Sequence, residues 1–245
     1  MEVSKKIEFI KDWILNYVDS MPKKTQSLII GISGGIDSSV TSTLCAMTGK
    51  KTIVLTMPIN QISSQHDLSI KHRDWLKEKF NNVEDYIIEL DDVFKSFKSK
   101  LLKFDNEHGM ANSRARIRMT ALYQVAAANN GIVVGTGNKV EDFGVGFYTK
   151  YGDGGVDISP IADCTKSEVW ELGKELGILE EVIQAQPTDG LWDDGRTDVG
   201  QLGLTYQELE DAIINSNSPH RSKYLEKRKL NLHKMQPIPV CKIPK

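Results

Sequence analysis

Residues 31 to 39 read Gly31-Ile32-Ser33-Gly34-Gly35-Ile36-Asp37-Ser38-Ser39. Closely spaced glycines let backbone N–H groups turn inward as a concave anion nest. A helix opening directly behind them adds orphan N–H donors and the positive end of its dipole. Ser33, Ser38 and Ser39 add hydroxyl groups, so the chemistry suits a phosphate. Asp37 is out of place beside a phosphate unless a divalent cation lies between them. Mg²⁺ held by one or two carboxylates plus substrate phosphates is the usual arrangement. A bare Gly-Gly-x-Asp reads equally well as a capping turn; the strand before it and the helix after it favour the phosphate. The run is neither Gly-x-x-x-x-Gly-Lys-Ser/Thr nor Gly-x-Gly-x-x-Gly.

The elements that must position this loop follow from periodicity. Ile7, Ile10, Ile14, Tyr17 and Val18 recur at helical spacing and predict an amphipathic N-terminal helix. Strands are expected at Ser27–Ile32, Thr52–Met57, Asp85–Leu90 and Ile132–Val134. Between them, helices are expected at Asp37–Met47, Asp67–Phe80, Val93–Phe104 and Asn112–Asn130, the last stopped by Asn-Asn-Gly. On the long helix Ala115, Met119, Leu122 and Ala126 form the apolar face, and Arg116 and Arg118 fall on its opposite edges. Residues 138–163 and about 186–203 read as loops. Helices resume at Lys166–Leu176, with Thr165 as N-cap, and at Tyr206–Ile214 and His220–Leu232. The tail beyond Met235 is expected to be irregular. Alternating strands and helices imply an α/β fold, a doubly wound parallel sheet flanked by helices, with a helical C-terminal extension. Residues 1–245 read as a single domain, and ligands belong at the carboxyl ends of the strands.

Bulk properties narrow the class. The 245 residues carry 31 Lys and Arg against 33 Asp and Glu, a formal charge of −2, which argues against a nucleic-acid binder. Cys45, Cys164 and Cys241 lie far apart, with no zinc or disulfide pattern. There is no signal-peptide h-region and no run approaching a membrane span. The expectation is a cytoplasmic protein without membrane or nucleic-acid partners.

The loop resembles the SGGxDS motif of the N-type ATP pyrophosphatases, which adenylylate a carboxylate or carbonyl oxygen. Three further segments narrow the likeness: Ala115-Arg116-Ile117-Arg118-Met119, Gly135-Thr136-Gly137-Asn138-Lys139-Val140-Glu141, and Phe147-Tyr148-Thr149-Lys150-Tyr151-Gly152-Asp153-Gly154-Gly155-Val156-Asp157. Together they resemble the bacterial ammonia-dependent NAD synthetase family, from the phosphate loop to His233-Lys234. The resemblance implies a Rossmann-like adenine nucleotide alpha-hydrolase fold. It implies ATP contacts at Gly31, Ile32, Ser33, Gly34, Gly35, Ile36, Asp37, Ser38, Thr136, Lys166 and Thr188. Metal ligation of Mg²⁺ falls to Asp37 and Glu141, and deamido-NAD binding to Arg116, Lys150, Asp157, His233 and Lys234. Asp153 is implied as a catalytic residue that positions ammonia. A homodimer is implied as well, with the apolar helices at the N-terminus and at 112–130 as candidate surfaces. Many relatives have Thr-Asp-His-Ala-Ala-Glu where this chain has Thr136 to Glu141, which leaves the contacts of residues 138–145 open.

The reaction implied is amidation of deamido-NAD to NAD with ATP and ammonia through an acyl-adenylate, releasing AMP and pyrophosphate. A fused glutaminase would add a domain of its own, so free ammonia is expected, and a separate glutaminase subunit stays open. Segments 138–150 and 186–203, including Trp192-Asp193-Asp194-Gly195-Arg196, are candidates for closing over the site. Two competing readings are a tRNA-modifying relative, which should carry a basic surface, and a non-catalytic nucleotide sensor, which would tolerate loss of Asp37 and Glu141.

Overall fold

The computed structural model describes residues 1–60, 63–188, 190–192 and 197–244. Helix α1 (Val3–Ser20) precedes strand β1 (Ser27–Gly31), and α2 (Ile36–Met47) leads to β2 (Lys51–Thr56). Then come α3 (Ser63–Lys79), β3 (Val83–Ile87), α4 (Asp91–Lys100), a 3₁₀ turn at Leu102–Phe104, α5 (Glu107–Ala128) and β4 (Gly131–Val133). A π-helix spans Lys139–Val145. Helices α6 (Lys166–Glu175), α7 (Glu180–Gln184), α8 (Asp198–Leu202), α9 (Tyr206–Ile214) and α10 (Arg221–Met235) complete the chain.

The four strands form one parallel sheet in the order β3-β2-β1-β4. β1 pairs with β2 from Ser27↔Lys51 to Gly31↔Leu55, and with β4 from Ser27↔Gly131 to Ile29↔Val133. Parallel strands need crossovers, and these crossovers cover both faces. On one face α1, α2 and α6 bury Ile14, Leu44, Val169 and Leu172 against Leu28 and Ile30. On the other, α4 and α5 bury Phe94, Met119 and Leu122 against Ile29, Ile53 and Leu55. A third cluster joins Val140 and Val145 of the π-helix to Tyr206 and Leu209 of α9 and Tyr224 of α10, seating the C-terminal helices beside the sheet.

The α/β class and every expected strand are present, with shifted boundaries. β3 starts two residues before the expected Asp85, because its half-exposed pattern carries little alternation. α5 starts at Glu107 rather than Asn112, since the Asn106 side chain accepts from Gly109 N at 2.6 Å and caps an unpromising Glu-His-Gly start. Val93–Phe104 is not one helix: α4 ends at Lys100 and a 3₁₀ turn follows. The expected loop at 138–163 contains the π-helix, and the one at 186–203 contains α8, opened by a Thr197 cap and closed by Gly203 in the left-handed region. Thr165 does cap α6, within a full capping box: Glu168 N donates to Thr165 Oγ1 and Thr165 N to Glu168 Oε2. Glu168 also binds Lys6 of α1 at 2.5 Å, tying the N-terminal helix to α6.

The cap predicts a measurable loss. Thr165→Ala is expected to lower unfolding free energy by about 1 kcal/mol in urea titration, with an unchanged m-value.

Candidate active site

The order β3-β2-β1-β4 reverses at the β1/β4 boundary, where crossovers leave in opposite directions and open a crevice beyond the strand ends. Gly31 to Ser38 follow β1 into that crevice, and Thr136, Gly137, Glu141 and Asp142 follow β4. Arg118, Met119 and Leu122 of α5 form a wall, and Ala185, Gln186, Thr188 and Leu191 lie across it.

The glycine loop is shaped for close approach. Gly34 holds φ at +87°, a region that side chains disfavour. Ser33 N donates to Ser38 Oγ at 3.2 Å, Gly35 N donates to Ser33 Oγ at 3.2 Å, and the two hydroxyls lie 3.1 Å apart. Gly35 is the N-cap of α2 and makes no side-chain cap bond, so the helix dipole faces the crevice directly. Ile36 points away: it is buried in the core and packs where a Cβ on Gly173 would come within 2.6 Å of it.

At the floor of the crevice lies an ionic cluster. Lys166 is 2% exposed, and its Nζ sits 2.5 Å from Asp37 Oδ2 and 2.9 Å from Glu141 Oε1. Asn138 is fully buried; its Nδ2 donates to Asp37 Oδ1 at 3.0 Å and its Oδ1 accepts from Val140 N and Glu141 N. One side chain thus caps the π-helix and orients Asp37. The Tyr206 hydroxyl donates to Glu141 Oε1 at 2.6 Å. Burial works against every charge here. For Lys166, Asp37 and Glu141 outweigh it and hold the ammonium protonated well above its usual range. For Glu141, Lys166 and the Tyr206 hydrogen bond outweigh it and hold the carboxyl below its usual range. Asp37 is pushed up by burial, opposed by Lys166 and reinforced by Glu141.

Asp142 stands next to this cluster with a carboxyl raised well above the usual range, by burial and by Asp153, Glu141 and Asp37. A Cβ at Gly137 would lie 1.9 Å from Asp142 Oδ2. A side chain at 137 would require the Asp142 carboxyl to shift.

The sequence-predicted residues separate into two groups. Gly31, Ile32, Ser33, Gly34, Gly35, Asp37, Ser38, Thr136, Glu141, Asp153 and Thr188 line the crevice, with Lys166 beneath it. Asp153 is exposed and its Oδ1 accepts from Thr149 N at 3.0 Å, which fixes the 149–155 turn. Arg116 does not enter the crevice. It lines a shallow neighbouring depression with Thr120, Tyr123 and Tyr151, and its Nε donates to Lys150 O at 3.2 Å. Asp157 borders the same region, accepting from Tyr123 Oη at 3.0 Å and from Val133 N at 2.8 Å. Lys234 of α10 donates to Tyr148 O at 2.8 Å and feels the charges of Asp153 and Asp142, while His233 is exposed. Of the Trp192–Arg196 run, residues 193–196 lie outside the described residues.

Of the two arginines on opposite edges of α5, the ligand contact was expected at Arg116, but Arg118 lines the crevice, its Nε donating to Met57 O at 2.9 Å. Sequence reading missed Arg114, 6% exposed, which donates to Leu191 O at 2.7 Å. It missed Asn138 and Tyr206 as well. Asn138 carried a usable signal, an Asn directly before a helical turn; the others carried none.

The oxygen-rich pair of Asp37 and Glu141 suits a hard divalent cation that takes its remaining ligands from phosphates. Among the described residues no group of three or more His, Cys, Asp or Glu side chains is arranged to hold a metal, so two protein carboxylates are the available donors.

Fold and crevice define a nucleotide-handling α/β protein of the glycine-loop kind. The family model for NAD synthase matches residues 6–241, and the chain belongs to that family, whose members are ligases. It is similar to the NH(3)-dependent NAD(+) synthetase of Alkaliphilus metalliredigens, 35% identical over 98% of this chain and 99% of that protein. Among solved structures, NMN synthetase from Francisella tularensis superposes with a TM-score of 0.90 at 29% identity, covering 99% of this chain and 100% of that one. NH3-dependent NAD synthetase from Campylobacter jejuni superposes at 0.79 and 26% identity, with 99% and 100% coverage.

The buried cluster predicts a pH signature. Lys166→Met leaves two facing carboxylates without their cation and is expected to cost about 3–5 kcal/mol at neutral pH. Uncompensated burial raises a carboxyl's folded-state pKa above its unfolded value, and such a group destabilises less as pH falls. Urea titrations should show the gap to wild type narrowing between pH 7.5 and pH 5.5; a constant gap would remove the carboxylates as its source.

Proposed function

We propose that the chain is an ammonia-dependent ligase that amidates deamido-NAD to NAD. The observation that carries this is the convergence, beside a glycine nest at the β1/β4 switch point, of Asp37, Glu141 and Lys166 in a chain of the NAD synthase family.

ATP lies with its phosphates against Gly31–Ser38, contacted also by Thr136, Lys166 and Thr188. Deamido-NAD extends over Arg116, Lys150 and Asp157, with His233 and Lys234 of α10 at its edge. A nicotinate carboxylate oxygen attacks the α-phosphorus, the α–β bridge breaks and pyrophosphate leaves. Ammonia then adds its lone pair to the acyl carbon, loses a proton, and AMP departs with the C–O electron pair. The loop N–H groups and the Ser33 and Ser38 hydroxyls hold the phosphates in line for this displacement. Asp153, with Asp142 beside it, gathers ammonia at the open side of the crevice. Asp37 and Glu141 would hold Mg²⁺, which would supply neutralisation of charge at the phosphates. No nucleophilic side chain is required, because the adenylate itself is the leaving group.

A homodimer fits the exposed Phe9, Trp13 and Tyr17 of α1 and the half-exposed Tyr123 of α5, apolar surface on helices whose other faces are already buried. Among the described residues no helix is long and apolar enough to cross a membrane; we place the protein in the cytoplasm, with free ammonia as nitrogen donor.

A second acid substrate is favoured by a specific observation, the TM-score of 0.90 to an NMN synthetase. Nicotinate mononucleotide presents the same carboxylate without the adenylate half, and the same crevice chemistry would yield NMN.

One assay tests both. Protein, ATP, Mg²⁺ and ammonium are incubated with either acid, and NAD, NMN and AMP are followed. NAD from deamido-NAD, with a higher kcat/KM than NMN formation, is the expected result. A reversed ratio selects the mononucleotide, and no amide from either acid by folded, ATP-binding protein rejects the reading. Asp37→Ala is expected to lower kcat by about 10²-fold or more with circular dichroism unchanged.

A further inference from the structure

Glu141 is gripped from two sides by groups on different elements. Lys166 of α6 reaches its Oε1 at 2.9 Å, and Tyr206, the first residue of α9, reaches the same oxygen at 2.6 Å. Both bonds go to Oε1, and Glu141 lines the crevice whereas Tyr206 does not. The phenol therefore holds the carboxylate from behind and turns its second oxygen outward.

Tyr206 is itself tightly fixed. It is 3% exposed and meets Trp170 edge-on, at 5.8 Å and 89°. The Lys166 ammonium lies 4.9 Å from its ring centroid. The capping box of Thr205 and Glu208 pins the start of α9 at this residue. Asp198 of α8 offers a competing acceptor at 3.1 Å, but a phenol has one proton and the shorter bond gives it to Glu141. Were that bond missing, Lys166 and the Asn138 side chain would be left to hold Glu141, and an ammonium between two carboxylates competes directly with a divalent cation for them.

We infer that Tyr206 is a positioning residue for cation binding: its hydroxyl fixes Glu141 so that Oε2 is presented to the metal and the nucleotide phosphates. The inference rests on the proposed metal role of Asp37 and Glu141. Groups behind a ligating side chain commonly change metal affinity by ~10–100-fold when removed.

The test is Tyr206→Phe, which keeps the ring, its Trp170 contact and its place over Lys166. Free Mn²⁺ is followed by EPR while full-length protein is titrated in the presence of α,β-methylene-ATP. The Mn²⁺ dissociation constant is expected to rise about tenfold, with nucleotide affinity in EDTA unchanged. The Mg²⁺ concentration for half-maximal turnover should rise in parallel, with the KM for the nicotinate acid unmoved. In a cycle with Glu141→Gln the two losses should not add. Unchanged Mn²⁺ affinity in the folded variant, or additive losses, would overturn the inference. If the variant does not fold, 4-fluorophenylalanine placed at position 206 fills the hydroxyl's place without a proton to donate; unaltered Mn²⁺ affinity there overturns it equally. A wild type that binds Mn²⁺ in a Tyr206-dependent way yet makes no amide would instead sink the substrate reading alone.

Discussion

A single ammonium group, taken out of water and set between two carboxylates, is the constraint around which this molecule is organised. Lys166 gains nothing from burial by itself; an isolated ammonium in a low-dielectric interior is costly. Asp37 at 2.5 Å and Glu141 at 2.9 Å return that cost only if α2, the π-helix and α6 meet at one point. The elements around the pair read as the means of holding them there. Asn138 starts the π-helix and grips Asp37 with the same amide. The capping box of Thr165 and Glu168 sets the first turn of α6, on which Lys166 sits. Glu168 in turn binds Lys6, so even α1 contributes to where the cluster lies.

The sheet determines what the cluster faces. Parallel strands aim their carboxyl ends one way, and the reversal between β1 and β4 leaves a crevice that no crossover fills. Glycine nest, helix N-terminus and ionic floor share that opening because they follow adjacent strands. Polar and charged groups concentrated at one sheet end also divide the labour of the chain: both sheet faces are apolar and pack helices, and the chemistry is confined to the rim. Asp142 is a local adjustment within this plan. Its carboxyl takes the space that a side chain at 137 would use.

Much of this was readable along the chain. Gly34 and Gly35 between an apolar strand and a helix signal an anion nest through backbone geometry alone. Ala115, Met119, Leu122 and Ala126 announce the buried face of α5 by spacing, and all four are buried. Asp37 stood out as an acid inside a phosphate loop, whereas Glu141 was legible only through resemblance, since a Glu with no fixed surroundings has many uses. The helix boundaries that slipped did so where capping outweighed propensity: Asn106 extends α5 back through a glycine, and Thr197 starts α8 inside an Asp-rich stretch. The π-helix gave no periodic signal, because seven residues of wide turn match neither helical nor strand spacing.

The residues by themselves determined the α/β class, the glycine nest and the identity of the groups available for chemistry. All of these rest on interactions within a few positions of the chain: backbone freedom, capping and hydrophobic period. Tertiary structure alone decided that Lys166 lies under Asp37 and Glu141, that Tyr206 stands behind Glu141, and that Arg118 rather than Arg116 walls the crevice. These contacts join residues 129, 25 and 65 positions apart. No local rule spans such separations, because the charge pairing that makes a buried ion tolerable exists only once the sheet has brought its partners together.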